Sequence, residues 1–350
     1  MRNFFKKVSK RITVFVMLVS MAISFSSAKA NTAAEKALEI ATHSLVLDIA
    51  TAGQRLVAVG ERGNILLSDD QGLNWRLANS PIGYGLTSVA FPTATVGYAA
   101  GHRGVVLKTE DAGLHWVQVL DGKTASKLAF DQLPSDIDSS IAETVRRLSG
   151  DGADRPFFDL WFDSPDRGFV VGSYGLIFMT EDGGLTWDSL IHKVENPFGF
   201  HFYSISRLLD GSVLISGEQG GIYVAETDDM NFVAKDSPYI GTFFGQISLK
   251  EGGAIVYGLM GNVFKKIHLG WEKCNVPTEA TINTAIELDD KRVLLAAANG
   301  RLLISESDGC RFKALGVGSV FTAGLEQIDT SKVIAVGLNG IKNISISKEK

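Results

Sequence analysis

A chain of 350 residues with 45% hydrophobic and 21% charged residues is too apolar and too weakly charged to be disordered. Two cysteines exclude a disulfide-stapled scaffold or a cysteine-rich zinc module, and 37 glycines with no period of three exclude collagen. The formal charge is −5, and removing residues 1–30, which hold six basic and no acidic residues, makes it −11; this argues against a nucleic-acid partner.

Residues 1–30 read as a secretory signal peptide. Arg2, Lys6, Lys7, Lys10 and Arg11 precede an apolar run from Ile12 to Phe25, and Ala28-Lys29-Ala30 forms an A-x-A cleavage site before Asn31. The run is short of the roughly 20 residues that a span needs, and no later stretch approaches that length. No cysteine follows the cut, so no lipid anchor is expected. The mature chain, 31–350, is expected as one periplasmic domain with no transmembrane segment.

From residue 57 the sequence repeats. VAVGERGNILLSDDQGLNW (57–75), YAAGHRGVVLKTEDAGLHW (98–116) and FVVGSYGLIFMTEDGGLTW (169–187) align without gaps. Weaker copies follow at 214–232, 255–271 and 294–312, with a partial one at 333–347. Each copy carries a G-x-x-G pair: Gly60/Gly63, Gly101/Gly104, Gly172/Gly175, Gly217/Gly220, Gly258/Gly261 and Gly337/Gly340, with Ala297/Gly300 as the exception. An aromatic residue closes each full copy, at Trp75, Trp116, Trp187, Phe232, Trp271 and Phe312. Short apolar runs broken by turns, four per copy, describe the blade of a β-propeller, with G-x-x-G as the tip of a tight hairpin. Seven copies predict an all-β, seven-bladed propeller, with six or eight blades and an open stack as alternatives. The seventh copy lacks an outer strand, which residues 33–42 could supply to close the ring.

The first three copies share a polar turn: Ser68, Asp70, Gly72 and Trp75; Thr109, Asp111, Gly113 and Trp116; Thr180, Asp182, Gly184 and Trp187. The hydroxyl and carboxylate can bond turn amides, the glycine can adopt positive φ, and the Trp can fill the space between blades. This is the Asp-box, or BNR, pattern, a structural device. One carboxylate per turn is too few for a calcium loop. Between the second and third copies lies an insertion over about 121–156. In it Pro134 to Leu148 reads as a helix capped by Ser135 or Asp136, with Ile137, Ile141, Val145 and Leu148 on one face.

Alternating strands place the G-x-x-G tips and the blade-to-blade loops on one face and the Asp-box turns on the other. The tips carry Arg62, His102, Arg103, Tyr174, Glu218 and Gln219. The loops carry Tyr84, Phe157, Phe198, Phe200, Tyr239 and Phe243, in segments such as Ser80-Pro81, Asn196-Pro197 and Ser237-Pro238. Recurrent aromatics there predict an apolar funnel suited to an extended peptide; the alternative is that they plug the ring and cover the blade tops.

Catalytic signals are weak. Glycoside hydrolysis needs two carboxylates facing one cleft, and the acids near the face, Glu61, Asp159, Glu195 and Glu218, form no recognisable pair. The six histidines show no metal-ligand spacing, and no motif implies a cofactor. Cys274 and Cys310 fall on outer strands of neighbouring blades, where splay disfavours a disulfide, and their pairing stays open.

The blade signature G-x-x-G-x-[IV]-x-x-[ST]-x-D-x-G-x-x-W resembles the Ycf48/HCF136 family of photosystem II assembly factors across roughly 41–346. The resemblance implies a non-enzymatic accessory protein that binds a membrane-protein complex or its exported segments. Photosynthetic members bind through an arginine-rich face; here Arg55, Arg62, Arg103, Arg155, Arg167 and Arg207 are spread along an acidic chain. The alternatives are a glycoside hydrolase or lectin of the sialidase-like Asp-box class, and a periplasmic accessory of an RND-type transporter.

Overall fold

The structure, a computed structural model, describes residues 32–150, 154–226, 229–268, 270–306, 309–318 and 320–346. The leader assigned to residues 1–30 lies outside the described residues. A helix α1 at 32–43 leads into blade 1, made of β1 (Val46–Ala52), β2 (Arg55–Gly60), β3 (Ile65–Ser68) and β4 (Arg76–Leu77). Blade 2 is β5 (Leu86–Ala90), β6 (Gly97–Gly101), β7 (Val106–Thr109) and β8 (Val117–Leu120). Two helices follow, α2 (Gly122–Asp131) and α3 (Ser139–Gly150). Blade 3 is β9 (Phe157–Phe162), β10 (Gly168–Gly172), β11 (Ile177–Thr180) and β12 (Asp188–Ser189). Blade 4 is β13 (Phe202–Arg207), β14 (Val213–Gly217), β15 (Ile222–Ala225) and β16 (Val233–Ala234). Blade 5 is β17 (Phe243–Ser248), β18 (Ala254–Gly258), β19 (Val263–Ile267) and β20 (Gly270–Lys273). Blade 6 is β21 (Ile282–Glu287), β22 (Val293–Ala297), β23 (Leu302–Ser305) and β24 (Phe312–Ala314), and blade 7 is β25 (Gly324–Asp329), β26 (Lys332–Gly337) and β27 (Gly340–Ser345). The seven sheets are antiparallel meanders in chain order, six of four strands and one of three, so the seven-bladed propeller read from the repeat is the fold.

The second strand of each blade is buried on both sides, as in Gly97–Gly101 and Val293–Ala297, because each sheet is packed between two others. This is why these strands read as unbroken apolar runs rather than alternating ones. The cores lie between blades: Val57, Val59 and Leu67 of blade 1 pack with Val89, Leu107 and Trp116 of blade 2.

The Asp-box turns form as their residue types require. In the second, Thr109 Oγ1 donates to Asp111 Oδ1 (2.9 Å) and accepts from Gly113 N (3.0 Å), while Asp111 Oδ1 accepts from His115 N (2.9 Å). Trp116 Nε1 donates to Gly113 O at 2.9 Å. The hydroxyls of Ser68 and Thr180 and the carboxylates of Asp70 and Asp182 repeat these bonds. Burial acts to raise Asp111, but the bonds from His115 and Thr109 outweigh it and hold the carboxyl at about 2. Each box packs on the preceding blade, Gly113 against Leu67 and Val57, and Gly184 against Val119.

Four expectations are corrected. Residues 33–42 form a helix, not the outer strand of blade 7, since Ala33-Ala34-Glu35-Lys36-Ala37-Leu38 favours helix over strand. Leu38 and Ala41 join the core between blades 7 and 1, and Thr42 O lies against Gly340 where a blade-to-blade loop lies elsewhere. The tips of blades 1–5 are not two-residue hairpins: a short 3-10 turn holds the second x residue at positive φ, as at Arg62 (60°) and Tyr174 (57°), whereas in blade 7 Leu338 and Asn339 form the expected two-residue tip between paired Gly337 and Gly340. The insertion is two helices. α2 is capped by Asp121, whose side chain accepts from Thr124 N, and α3 begins after Asp138, whose side chain accepts from Ser140 N (2.8 Å); Ser135 and Asp136 cap neither. Ala142 and Val145 of α3 are buried, and Ile141 packs on the same core.

The fourth concerns the cysteines, which pair, with their Cα atoms 4.6 Å apart. The outer strand of blade 5 does not splay. Asn275 N donates to Cys310 O and Phe312 N donates to Asn275 O, both at 2.9 Å, so the chain leaving β20 forms a parallel bridge with the turn entering β24.

Candidate functional site

The tips and the loops do share a face, and the glycines show how. The first glycine of each tip has extended φ and is needed for space: a Cβ on Gly60, Gly101, Gly172, Gly217 or Gly258 would overlap the carbonyl oxygen preceding its own blade's inner strand. The second combines positive φ with close approach, as where Gly220 (φ 72°) meets Tyr239 O in the next loop. The loops are pinned by their first residues. Asn196 Nδ2 donates to Phe200 O (2.9 Å) and its Oδ1 accepts from Phe200 N (3.0 Å). Ser80 and Ser237 bond the backbone of Ile82 and Tyr239 in the same way. The face is a pre-organised platform.

A bulge near the start of the inner strand, in all blades but the seventh, decides which side chains reach the axis. Register shifts separate Val46/Asp48, Leu86/Ser88, Phe202/Ser204, Phe243/Gly245 and Ile282/Thr284, and in blade 3 the pairing partners of Phe157 and Asp159 are adjacent. The residue before the skipped position turns into the blade core, so Phe157 and Phe243 are fully buried and offer no surface, contrary to expectation. The skipped residues Phe158, Tyr203 and Phe244 meet instead across blades 3–5. Phe158 stacks on Tyr203 at 5.0 Å, and Tyr203 meets Phe244 edge-on at 5.2 Å. His201 extends the arc, 4.7 Å from Tyr174 and 6.1 Å from Phe158. Tyr174 N donates to His201 Nδ1 (2.9 Å), which assigns the ring proton of a neutral His201 to Nε2, and Glu218 accepts from His201 N (2.9 Å).

Outside the arc the platform carries apolar side chains in water. Phe198 is 76% exposed and 5.5 Å from Phe200, Ile240 is 84% exposed, and Met260 and Leu338 stand exposed on the tips of blades 5 and 7. Tyr239 is half-buried, packed on Phe243 and Phe264, so it covers blade 5. The spread arginines gather in part. Arg62, His102 and Arg103 are exposed on the first two tips, and Gln219 on the fourth. Arg103 lies over Tyr84 (5.1 Å), while Arg155 (4.8 Å) and Arg147 of α3 (6.0 Å) lie over Tyr174. The backbone of Arg155 touches Gly104, so these arginines form one flank beside the aromatic arc.

The carboxylate pair that hydrolysis would need is present at the axis. Ser88 Oγ lies 3.2 Å from Asp48 Oδ2 and 3.0 Å from Asp159 Oδ1. Burial pushes Asp48 up to about 7, against hydrogen bonds from Val89 and Ile49, with the charge of Asp159 adding to the rise; burial pushes Asp159 up as well. Both carboxyls are engaged by the fold, however. Asp48 accepts from Ile49 N (2.9 Å) and Val89 N (2.8 Å). Asp159 accepts from Leu160 N (2.8 Å), Ile205 N (3.0 Å) and Ser204 Oγ (2.8 Å). They tie each inner strand to the next. Tyr257, over Gly245, repeats the tie to blade 6 through Ala285 and Thr284. Among the described residues no group of three or more His, Cys, Asp or Glu could hold a metal ion. Glu195 accepts from Ala234 N, next to the outer strand of blade 4.

Sequence reading missed Tyr203, His201, Asp48 and Ser88, and chose Phe157 and Phe243 over their neighbours Phe158 and Phe244. A signal existed: the buried residue that starts each inner strand stands fifteen positions before the first tip glycine or its alanine counterpart in five copies, as from Leu86 to Gly101.

A closed ring of short antiparallel blades with Asp-box turns and a decorated tip face defines the chain as an Asp-box β-propeller. Residues 152–229, spanning blade 3 and most of blade 4, match the family model described as "Photosynthesis system II assembly factor YCF48". That segment is similar to the Ycf48 family model. Among solved structures it is similar to "YCF48 bound to D1 peptide", at 15% identity and a TM-score of 0.65, covering 88% of this chain and 93% of that one. It is similar to YCF48 from Cyanidioschyzon merolae at 15% identity and a TM-score of 0.63, covering 86% and 95%. The WD40 propeller of Doa1 also matches, at 12% identity and a TM-score of 0.61, covering 88% and 95%. No curated protein matches in sequence.

Proposed function

We propose that this chain is a non-catalytic assembly accessory that holds an extended segment of a membrane protein on its tip face, after export to the periplasm. The observation that carries the reading is the arc of Phe158, Tyr203, Phe244 and His201 across three blades, flanked by arginines on Tyr84 and Tyr174 and by exposed Phe198 and Ile240. Partly exposed aromatics on a rigid scaffold suit an extended chain with large apolar side chains. A fold relative bound to a peptide of D1 supports a membrane-protein client. The basic leader, the apolar run and the A-x-A site support export. The bonds that Asp159 accepts from Leu160 N, Ile205 N, Ser204 and Ser88 support a non-catalytic role, because they hold its carboxylate in the fold rather than offer it to a sugar.

A photoactivatable amino acid at Phe198 tests the reading, with the same probe at Leu185, 85% exposed on the Asp-box face, as the control. Membrane-protein adducts are expected from position 198 alone. Equal labelling from both faces, or turnover of chromogenic glycosides that depends on Asp159, would overturn it.

A further inference from the structure

The pair of carboxyls around Ser88 poses a question of proton count. A serine hydroxyl has one proton and can donate it once. Ser88 Oγ nevertheless lies within hydrogen-bond distance of two carboxyl oxygens, on β1 and on β9. Were both carboxyls ionised, one of these contacts would hold no hydrogen, and a lone pair of the buried Ser88 oxygen would face a carboxylate. A second proton on one carboxyl removes the conflict. The donors indicate which: besides Ser88, Asp159 accepts from two backbone amides and Ser204, whereas Asp48 accepts from two backbone amides alone. The better-solvated carboxylate keeps the charge.

We propose that Asp48, Ser88 and Asp159 form a one-proton latch across blades 1, 2 and 3, in which Asp48 Oδ2–H donates to Ser88 Oγ and Ser88 donates to the Asp159 carboxylate. Loss of the Asp48 proton leaves two charged groups around one hydroxyl and loosens the junction between blades 1 and 2. No described neighbour offers a cation to offset this. On β2, Arg55 is paired with Asp69. β5 carries no charged residue. On β25, Glu326 accepts from Thr51 and is itself pushed up by burial. On β26, Lys332 lies near Asp329, whose carboxyl is lowered by hydrogen bonds from Ser331 and further by the Lys332 charge. On β13, Arg207 is paired with Asp163 at 2.8 Å.

The direction of the pH effect follows. A carboxyl whose pKa is higher folded than unfolded binds more protons in the folded state, so its stabilising contribution is complete below the ordinary aspartate range and is lost as pH rises toward about 7. Two measurements on the full chain test the latch. Infrared difference spectra between pH 5 and pH 9 are expected to show a protonated-carboxyl band that titrates in the wild type and persists in Glu326→Gln, the acid outside the latch that burial also pushes up. Denaturant unfolding is expected to show an unfolding constant that rises about tenfold or more from pH 5 to pH 8 in wild type, with that rise removed in Asp48→Asn. A band that vanishes in Glu326→Gln, or no band at pH 5, overturns the proposal without requiring Asp48→Asn to fold. So does an Asp48→Asn profile parallel to the wild type.

Discussion

The two faces of the ring use polar and aromatic residues in opposite ways. On the Asp-box face the hydroxyl, the carboxylate and the Trp of the turn serve the fold: Thr109 and Asp111 bond their own turn, and Trp116, 5% exposed, is wedged beside the preceding blade. On the tip face the backbone does the fixing, through glycines and through Asn196, Ser80 and Ser237, so side chains such as Phe198, Arg62 and Arg103 are left facing water. The same scaffold thus separates a face that holds blades together from one whose side chains are available to a partner.

The largest effect is expected where the Asp-box face is emptied. Trp116→Ala leaves a cavity between blades 1 and 2 and should lower stability by about 3–5 kcal/mol, read as a reduced denaturant midpoint. Were it tolerated within error, the wedge role would be wrong. Smaller but sharper is a pair of glycines. Gly258→Ala forces a Cβ onto Thr242 O and should cost about 3 kcal/mol, whereas Gly83, with nothing within 4 Å of a built Cβ, should accept alanine nearly without effect. Equal costs would mean that close backbone approach does not set the tips.

Most of the architecture was legible because it repeats. The Gly60/Gly63 spacing and the Ser68-x-Asp70-x-Gly72-x-x-Trp75 turn recur in register, and each residue type has one conformational reason to be there. The binding face was legible by element but not by residue. Phe157 and Phe243 look like surface aromatics beside Phe158 and Phe244, and only a bulge, which inserts one position into the alternation, decides which of each pair is buried. The arginine flank was hidden because Arg103, Arg147 and Arg155 meet through the fold of the insertion. The Cys274–Cys310 bond was missed for a similar reason: a two-residue parallel bridge drew in an outer strand that ideal blade geometry would splay.

The most direct test of a partner-binding tip face is the affinity of the cross-linked client segment for three proteins: wild type, Tyr203→Ala and Leu185→Ala. Tyr203 sits at the centre of the aromatic arc, and Leu185 is an exposed apolar side chain on the Asp-box face. The expected result is a loss of about tenfold or more for Tyr203→Ala, at the scale of a buried aromatic anchor, with Leu185→Ala unchanged. An unchanged Tyr203→Ala together with a weakened Leu185→Ala would place the client on the other face and contradict the account.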